Sequence, residues 1–115
     1  MNEVDDPAQF DRLSPDEQQR VVAWCKAMYA PATRNCPSST SYGMKHDFER
    51  HGGFYMYNGA FKGAMLAAGF KTINESWKNW EFFIKITVEH RRLHRAEAYH
   101  YHRVRRSTPT IGLCF

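Results

Sequence analysis

Histidines are the residues of this chain best suited to chemistry. There are six, and two of them have the spacing of ligands. His90 and His94 lie i, i+4 and Glu97 follows at i+7, so one helical face can present two imidazoles and a carboxylate. Zinc takes four such ligands, or three with an open position. The set lacks a fourth member, and Arg91, Arg92 and Arg95 put positive charge beside any cation. The run Glu89-His90-Arg91-Arg92-Leu93-His94 is not the zinc-protease motif, because Arg91 stands where the catalytic glutamate belongs. The expectation is a basic, histidine-rich surface with no metal and no cofactor. His46, His51 and Cys36 make a weaker set, since Cys36 falls in a linker and no Cys-x-x-Cys occurs. A cysteine–histidine hydrolase needs a third orienting group and an oxyanion site, and neither is legible. Gly52, Gly53, Gly59 and Gly63 are spaced for turns and close helix packing, not for a phosphate loop. An enzyme is not expected.

Charge gives a second lead. The net charge is +4, unevenly spread. Residues 1–20 hold six acids and two bases, whereas residues 85–106 hold seven bases and two acids. Such a gradient suits a polyanionic partner; it also suits a merely solvated helix face. Tyr99 and Tyr101 interleave with Arg95, Arg103, Arg105 and Arg106, with Arg91 and Arg92 upstream. Aromatic rings stack on unpaired bases while arginines hold the phosphates. These eight residues are the candidate contacts for a partner or for nucleic acid.

The elements that must position them follow from capping and periodicity. Asp6-Pro7 opens a short turn, and Ser14-Pro15-Asp16-Glu17 starts a helix that runs to about Tyr29. A linker rich in Pro, Ser and Asn leads to a second helix, capped by Ser39, Thr40 or Ser41 and ended by Gly52-Gly53. Met44 and Phe48 face its core side, and Lys45 faces water. Asn58 caps a third helix with Phe61, Ala64, Met65 and Ala68 on one stripe and Lys62 exposed. Trp80 to Ile86 alternates as a strand, with Phe54 to Tyr57 as its expected partner. From Val88 the chain is helix-compatible to about Arg106, with a weak stripe of Val88, Leu93, Ala96 and Tyr99. The fold class is α+β: one small domain of about three packed helices, a minor two-stranded β element and a basic, helical C-terminal segment. An acidic segment (1–13) precedes a core (14–86) and the basic segment (87–115). The core gathers Trp24, Phe48, Phe61, Met65, Phe82 and Ile84.

The middle of the chain carries a resemblance. Ser41-Tyr42-Gly43-Met44-Lys45-His46 is followed by Gly53-Phe54-Tyr55-Met56-Tyr57-Asn58-Gly59 and Phe61-Lys62-Gly63-Ala64-Met65. This run resembles small, mostly unassigned proteins coded by phages and mobile elements of Gram-positive bacteria. Their pattern is Ser-Tyr-x-x-Lys-His, then Gly-x-Tyr-x-x-Asn-Gly, then Phe-Lys-x-Ala-Met, and it covers roughly residues 39–86. The resemblance implies an origin in mobile DNA and a non-enzymatic role. It makes Tyr42, Lys45, His46, Tyr55, Tyr57, Asn58 and Lys62 a second candidate surface. In that setting the expected partner is a host protein or nucleoprotein, with an anti-CRISPR protein acting on a CRISPR effector as the sharpest form.

The rival is an accessory protein that binds DNA or RNA directly through a helix-turn-helix-like pair at 41–51 and 58–68. Its turn, Gly52 to Tyr57, is longer than usual, and its second helix is poor in base-reading side chains. A metal-dependent enzyme is a distant third. No apolar run reaches the roughly 18–20 residues of a membrane span. The acidic start, Met1 to Asp6, lacks the order of a signal peptide, so a cytoplasmic location is expected. Cys25, Cys36 and Cys114 are odd in number, which suits reduced thiols. Replacing Arg103, Arg105 and Arg106 with Ala should abolish most binding activity and leave the melting temperature nearly unchanged, because exposed arginines contribute little to folding. Unfolding of the triple mutant, or binding equal to the parent's, would contradict this.

Overall fold

In the computed structural model, residues 3–105 are described, with side chains as far as Ala96. The first long element is α1, Pro15–Met28. A full capping box starts it: Ser14 Oγ accepts the Glu17 N–H at 3.2 Å, and the Glu17 carboxylate accepts the Ser14 N–H at 2.9 Å. Its buried face is Val21, Cys25 and Met28. The chain passes directly into β1, Tyr29–Pro31, which pairs antiparallel with β2, Ile84–Ile86. Tyr29 stands opposite Ile86 and Pro31 opposite Ile84.

The expected partner of this strand, Phe54 to Tyr57, is therefore replaced by the segment leaving α1. The Met56 N–H reaches the Glu49 carboxylate at 3.4 Å instead of a strand carbonyl. The strand itself is shorter than its alternation suggests. Upstream of Ile84, Glu81 and Phe82 make only isolated bridges, to Thr40 and Thr72.

Thr40 is the cap of α2, Ser41–Arg50. Its first residue is tied to the approach to β2 by a reciprocal pair: the Ser41 N–H donates to the Trp80 carbonyl at 2.8 Å, and the Trp80 N–H donates to Ser41 Oγ at 3.0 Å. Gly52 follows the helix with φ +87°, a conformation that glycine adopts without strain. The final helix, α4 (Val88–Arg105), is anchored at its start to the end of α1. Thr87 Oγ donates to the Ala27 carbonyl at 2.7 Å and accepts the His90 N–H at 3.2 Å.

The centre of the domain is α3, Asn58–Ala67, buried continuously from Asn58 to Met65. A helix apolar or buried on all sides must be enclosed on all sides. Gly59 and Gly63, one turn apart, make room for the N-terminal 3-10 turn Pro7–Arg12. A Cβ at Gly59 would lie 2.1 Å from the Asp6 carbonyl oxygen, and one at Gly63 would lie 2.4 Å from Phe10 Cβ. Asn58 does not cap this helix. The cap position is Tyr57, with no side-chain hydrogen bond, and Asn58 turns inward. Its amide donates to the Asp5 carboxylate at 3.0 Å, the Lys78 carbonyl at 3.1 Å and Asn79 Oδ1 at 3.2 Å.

Both lysines expected in water are buried. Lys62 is wholly enclosed, its ammonium donating to the Asp5 carbonyl at 2.9 Å and lying 4.8 Å from the Trp80 ring centroid. Desolvation lowers its pKa from the usual lysine value, against the opposing pull of Asp5 and Asp6. Lys45 is buried beside Glu49, 2.9 Å away, and 4.9 Å from the Tyr55 ring centroid. Helical periodicity assigns a face but not what folds over it, and a carbonyl or a π face can substitute for water around an ammonium. One cysteine also differs from expectation: Cys36 is disulfide-bonded, whereas Cys25 is the reduced thiol expected, buried and with its pKa raised by desolvation.

The core holds Phe48, Phe61, Met65, Phe82 and Ile84 as expected, with Trp24 half-buried against it. Phe61→Ala or Met65→Ala should each cost about 2–5 kcal/mol through lost burial and a cavity. Denaturant melts showing less than half a kcal/mol would remove them from the core. Gly59→Ala should lower the melting temperature even though alanine favours a helix by about 1 kcal/mol. The added Cβ meets backbone, so relief requires the whole N-terminal turn to shift. An unchanged or raised melting temperature would contradict that.

Candidate functional site

The most distinctive surface feature is an open cleft of about 480 Å³. Three parts of the chain build it. On α2, Tyr42, Lys45 and His46 are spaced i, i+3, i+4 and therefore share one face. The segment 54–57 is extended, so its side chains alternate: Met56 is buried, while Tyr55 and Tyr57 stand out from the surface. The first turn of α3 contributes Asn58, and Val4, Asp5, Lys78 and Asn79 complete the lining.

The walls are aromatic and cationic. Tyr42, Tyr55 and Tyr57 are 52%, 71% and 46% exposed. The Tyr42 ring meets the His46 ring edge-on at 4.4 Å, and the Tyr55 and Tyr57 rings meet edge-on at 6.3 Å. Glu49 lies behind this wall and holds both side chains in place, 2.9 Å from Lys45 Nζ and 3.2 Å from His46 Nδ1. The floor is tied together by Asp5, whose carboxylate takes the Asn58 amide and whose carbonyl takes the Lys62 ammonium. A second hollow, of about 260 Å³, is lined by Gln9, Arg12, Leu13 and Ala60, together with Tyr55, Met56 and Tyr57. Tyr55 and Tyr57 therefore form a ridge between two depressions.

Six of the seven residues singled out by the motif line the larger cleft: Tyr42, Lys45, His46, Tyr55, Tyr57 and Asn58. The seventh, Lys62, does not reach the surface. It supports the floor from behind and is corrected from a contact to a structural residue. Sequence reasoning missed Val4, Asp5, Lys78, Asn79 and the second hollow. No local signal marks them, because they join the cleft only through the tertiary fold.

The basic segment stands apart. Arg92 is exposed and doubly bonded to Glu89, at 3.1 and 2.5 Å, which raises its pKa and lowers that of the glutamate. Arg91 is half-buried and Arg95 exposed, and neither lines the cleft. Tyr99, Tyr101, Arg103 and Arg105 belong to the backbone of α4, but their side chains, like all of Arg106, lie outside the described residues. The expected apolar stripe of α4 is corrected in part. Leu93 packs half-buried against the core, but Val88 is 75% exposed and Ala96 is exposed, Tyr99 lies outside the described side chains, and the buried side chains among those described on this helix are His90 and His94. Histidine counts as polar in a periodicity argument, so this face was not legible as the packed one.

The cleft offers rings to stack on, a lysine ammonium and an imidazole, which is the chemistry of recognition. No family model matches this chain, and no curated protein or solved structure does either.

Proposed function

We propose that this protein is a non-enzymatic binding module whose recognition face is the tyrosine-lined cleft, and that its partner is a host protein or nucleoprotein complex. The observation that carries the reading is convergence. Residues separated in sequence, Tyr42, Lys45 and His46 on one side and Tyr55 and Tyr57 on the other, line one open cleft. Exposed tyrosines supply large, rigid contact area at little entropic cost, and tyrosine is enriched among the residues that dominate binding energy. Tyr55 also covers the Lys45 ammonium, 4.9 Å from its ring centroid, yet the tyrosine remains 71% exposed.

The resemblance to small proteins of mobile elements suggests a setting for this module: inhibition of a host defence nucleoprotein, anti-CRISPR-like in its sharpest form. The basic α4 is then a second contact, reaching nucleic acid or an acidic surface beside the first. The rival reading, a direct DNA or RNA binder, retains support from the arginine- and tyrosine-rich end. Its helix-turn-helix version has less, because α3 is buried from Asn58 to Met65 and leaves no polar face for a groove.

The test is capture from a bacterial host lysate, with and without nuclease. A protein complex retained after nuclease treatment is the expected result. Capture abolished by nuclease, with steeply salt-dependent binding to bare DNA or RNA, would favour the rival. Replacing Tyr42, Tyr55 and Tyr57 with Ala should remove capture, at about 2 kcal/mol or more for each dominant residue. The melting temperature should stay within a few degrees of the parent's. Undiminished capture by the folded triple mutant would overturn the assignment of the cleft.

A further inference from the structure

We propose that Asp47, His90 and His94 form a binding site for one divalent transition-metal ion of the zinc class, which clamps α4 onto α2. The sequence offers His90 and His94 with Glu97 as an incomplete set on one helix; the fold brings a carboxylate from a different helix. One ligand atom from each of Asp47, His90 and His94 lies within 4.8 Å of the others. Asp47 Oδ2 is 3.9 Å from His94 Nε2, and the two imidazole rings stack with centroids 4.4 Å apart.

These spacings suit a small ion after slight closure. Bonds of about 2.0–2.2 Å to nitrogen and oxygen place neighbouring ligand atoms roughly 3.3–3.5 Å apart in a tetrahedral site. The atoms must therefore draw together by about an ångström, within the reach of side-chain torsions. Two imidazoles and a carboxylate are the ligand set of zinc and related borderline ions, not of calcium or magnesium. Three protein ligands leave one position for solvent.

The surroundings of the three residues support the assignment. His90 and His94 are 1% and 9% exposed. The Nδ1 of His94 is buried without a hydrogen-bond partner, and its Nε2 is too far from Asp47 for a hydrogen bond. Such a buried imidazole costs free energy unless something else satisfies it, and a metal bond would. The Tyr29 hydroxyl is a second buried polar group without a hydrogen-bond partner, on a ring packed edge-on at 5.1 Å from His90 and within the field of Asp47. On metal binding this hydroxyl would be available to a metal-bound water, the kind of supporting contact that orients metal ligands.

Two charges oppose a cation. Arg50 pairs with Asp47 Oδ1, and Asp47 Oδ2 lies 3.9 Å from His94 Nε2. Arg91, half-buried, is the nearer of the arginines that flank His90 in sequence, whereas Arg92 is exposed and paired with Glu89. The two imidazoles must therefore supply most of the affinity, which again favours a nitrogen-seeking ion.

The experiment uses untagged full-length protein stripped with a chelator and titrated with Zn²⁺ and, separately, Co²⁺. One ion per chain, a raised melting temperature and the visible absorption of four-coordinate cobalt are expected. His94→Ala and Asp47→Asn should each abolish the stoichiometric binding, while His46→Ala, at a half-buried histidine on the other face of α2, should leave it intact. Tyr29→Phe should weaken it about tenfold or more, as loss of a supporting contact does. Imidazole resonances of the parent protein give a readout that needs no variant: Zn²⁺ should shift those of His90 and His94 and no other histidine. The proposal is overturned by failure of the parent to bind either ion, by binding that survives His94→Ala, or by shifts at other histidines.

Discussion

A buried ammonium holds the centre of this molecule. Lys62 sits on a helix otherwise made of small and apolar residues, and its charge reaches no solvent. Isolated, such a charge would be strongly unfavourable. It is tolerated because the Asp5 carbonyl accepts from it at 2.9 Å, the Trp77 carbonyl lies 3.5 Å away, and the Trp80 ring covers it. These partners come from the N-terminal turn and from the loop before β2. Satisfying one side chain thus ties both segments to α3. The same constraint explains Gly59 and Gly63, since Asp6 and the Pro7–Arg12 turn, which follow Asp5, can approach only where α3 has no Cβ.

The cleft inherits its shape from that arrangement. Asp5 is shared: its carbonyl serves Lys62 and its carboxylate serves Asn58. Asn58 in turn bonds the Lys78 carbonyl and Asn79. The floor is thus a hydrogen-bonded platform anchored to the core, and the tyrosines project from it. A recognition surface on a rigid base loses less entropy when it binds.

Helix α2 shows how one short element serves three neighbours. Its 3.6-residue period sends Met44 and Phe48 into the core and Tyr42, Lys45 and His46 to the cleft. The same period brings Asp47 to the histidines of α4. The Glu49 carboxylate secures the cleft face, and the Asp47 carboxylate meets both Arg50 and His94. The proposed recognition face and the proposed metal clamp therefore lie on different faces of one ten-residue helix. Binding at either can in principle be measured without disturbing the other.

Local chemistry was legible from the sequence. Ser14, Pro15 and Glu17 specify the start of α1, Thr40 is among the caps named for α2, and Gly52 takes the positive φ expected after a helix. The α+β class, the core residues Phe61 and Met65, and the clustering of Tyr42 with Tyr55 and Tyr57 on one surface also follow from spacing and motif. What depends on distant partners did not. The pairing of β2 with Tyr29–Pro31, not Phe54 to Tyr57, is a long-range choice that no alternation encodes. Lys45 and Lys62 read as solvent-facing because periodicity cannot see the carbonyls and rings that cover them. His90 and His94 read as surface because nothing near them in the chain announces Asp47 and Tyr29. Capping and turns are decided by bonds a few residues apart, and the sequence fixes those by itself. The burial of a charge or an imidazole draws on groups distant in the chain, such as Asp5 for Lys62 and Tyr29 for His90, and only the tertiary structure brings those into contact.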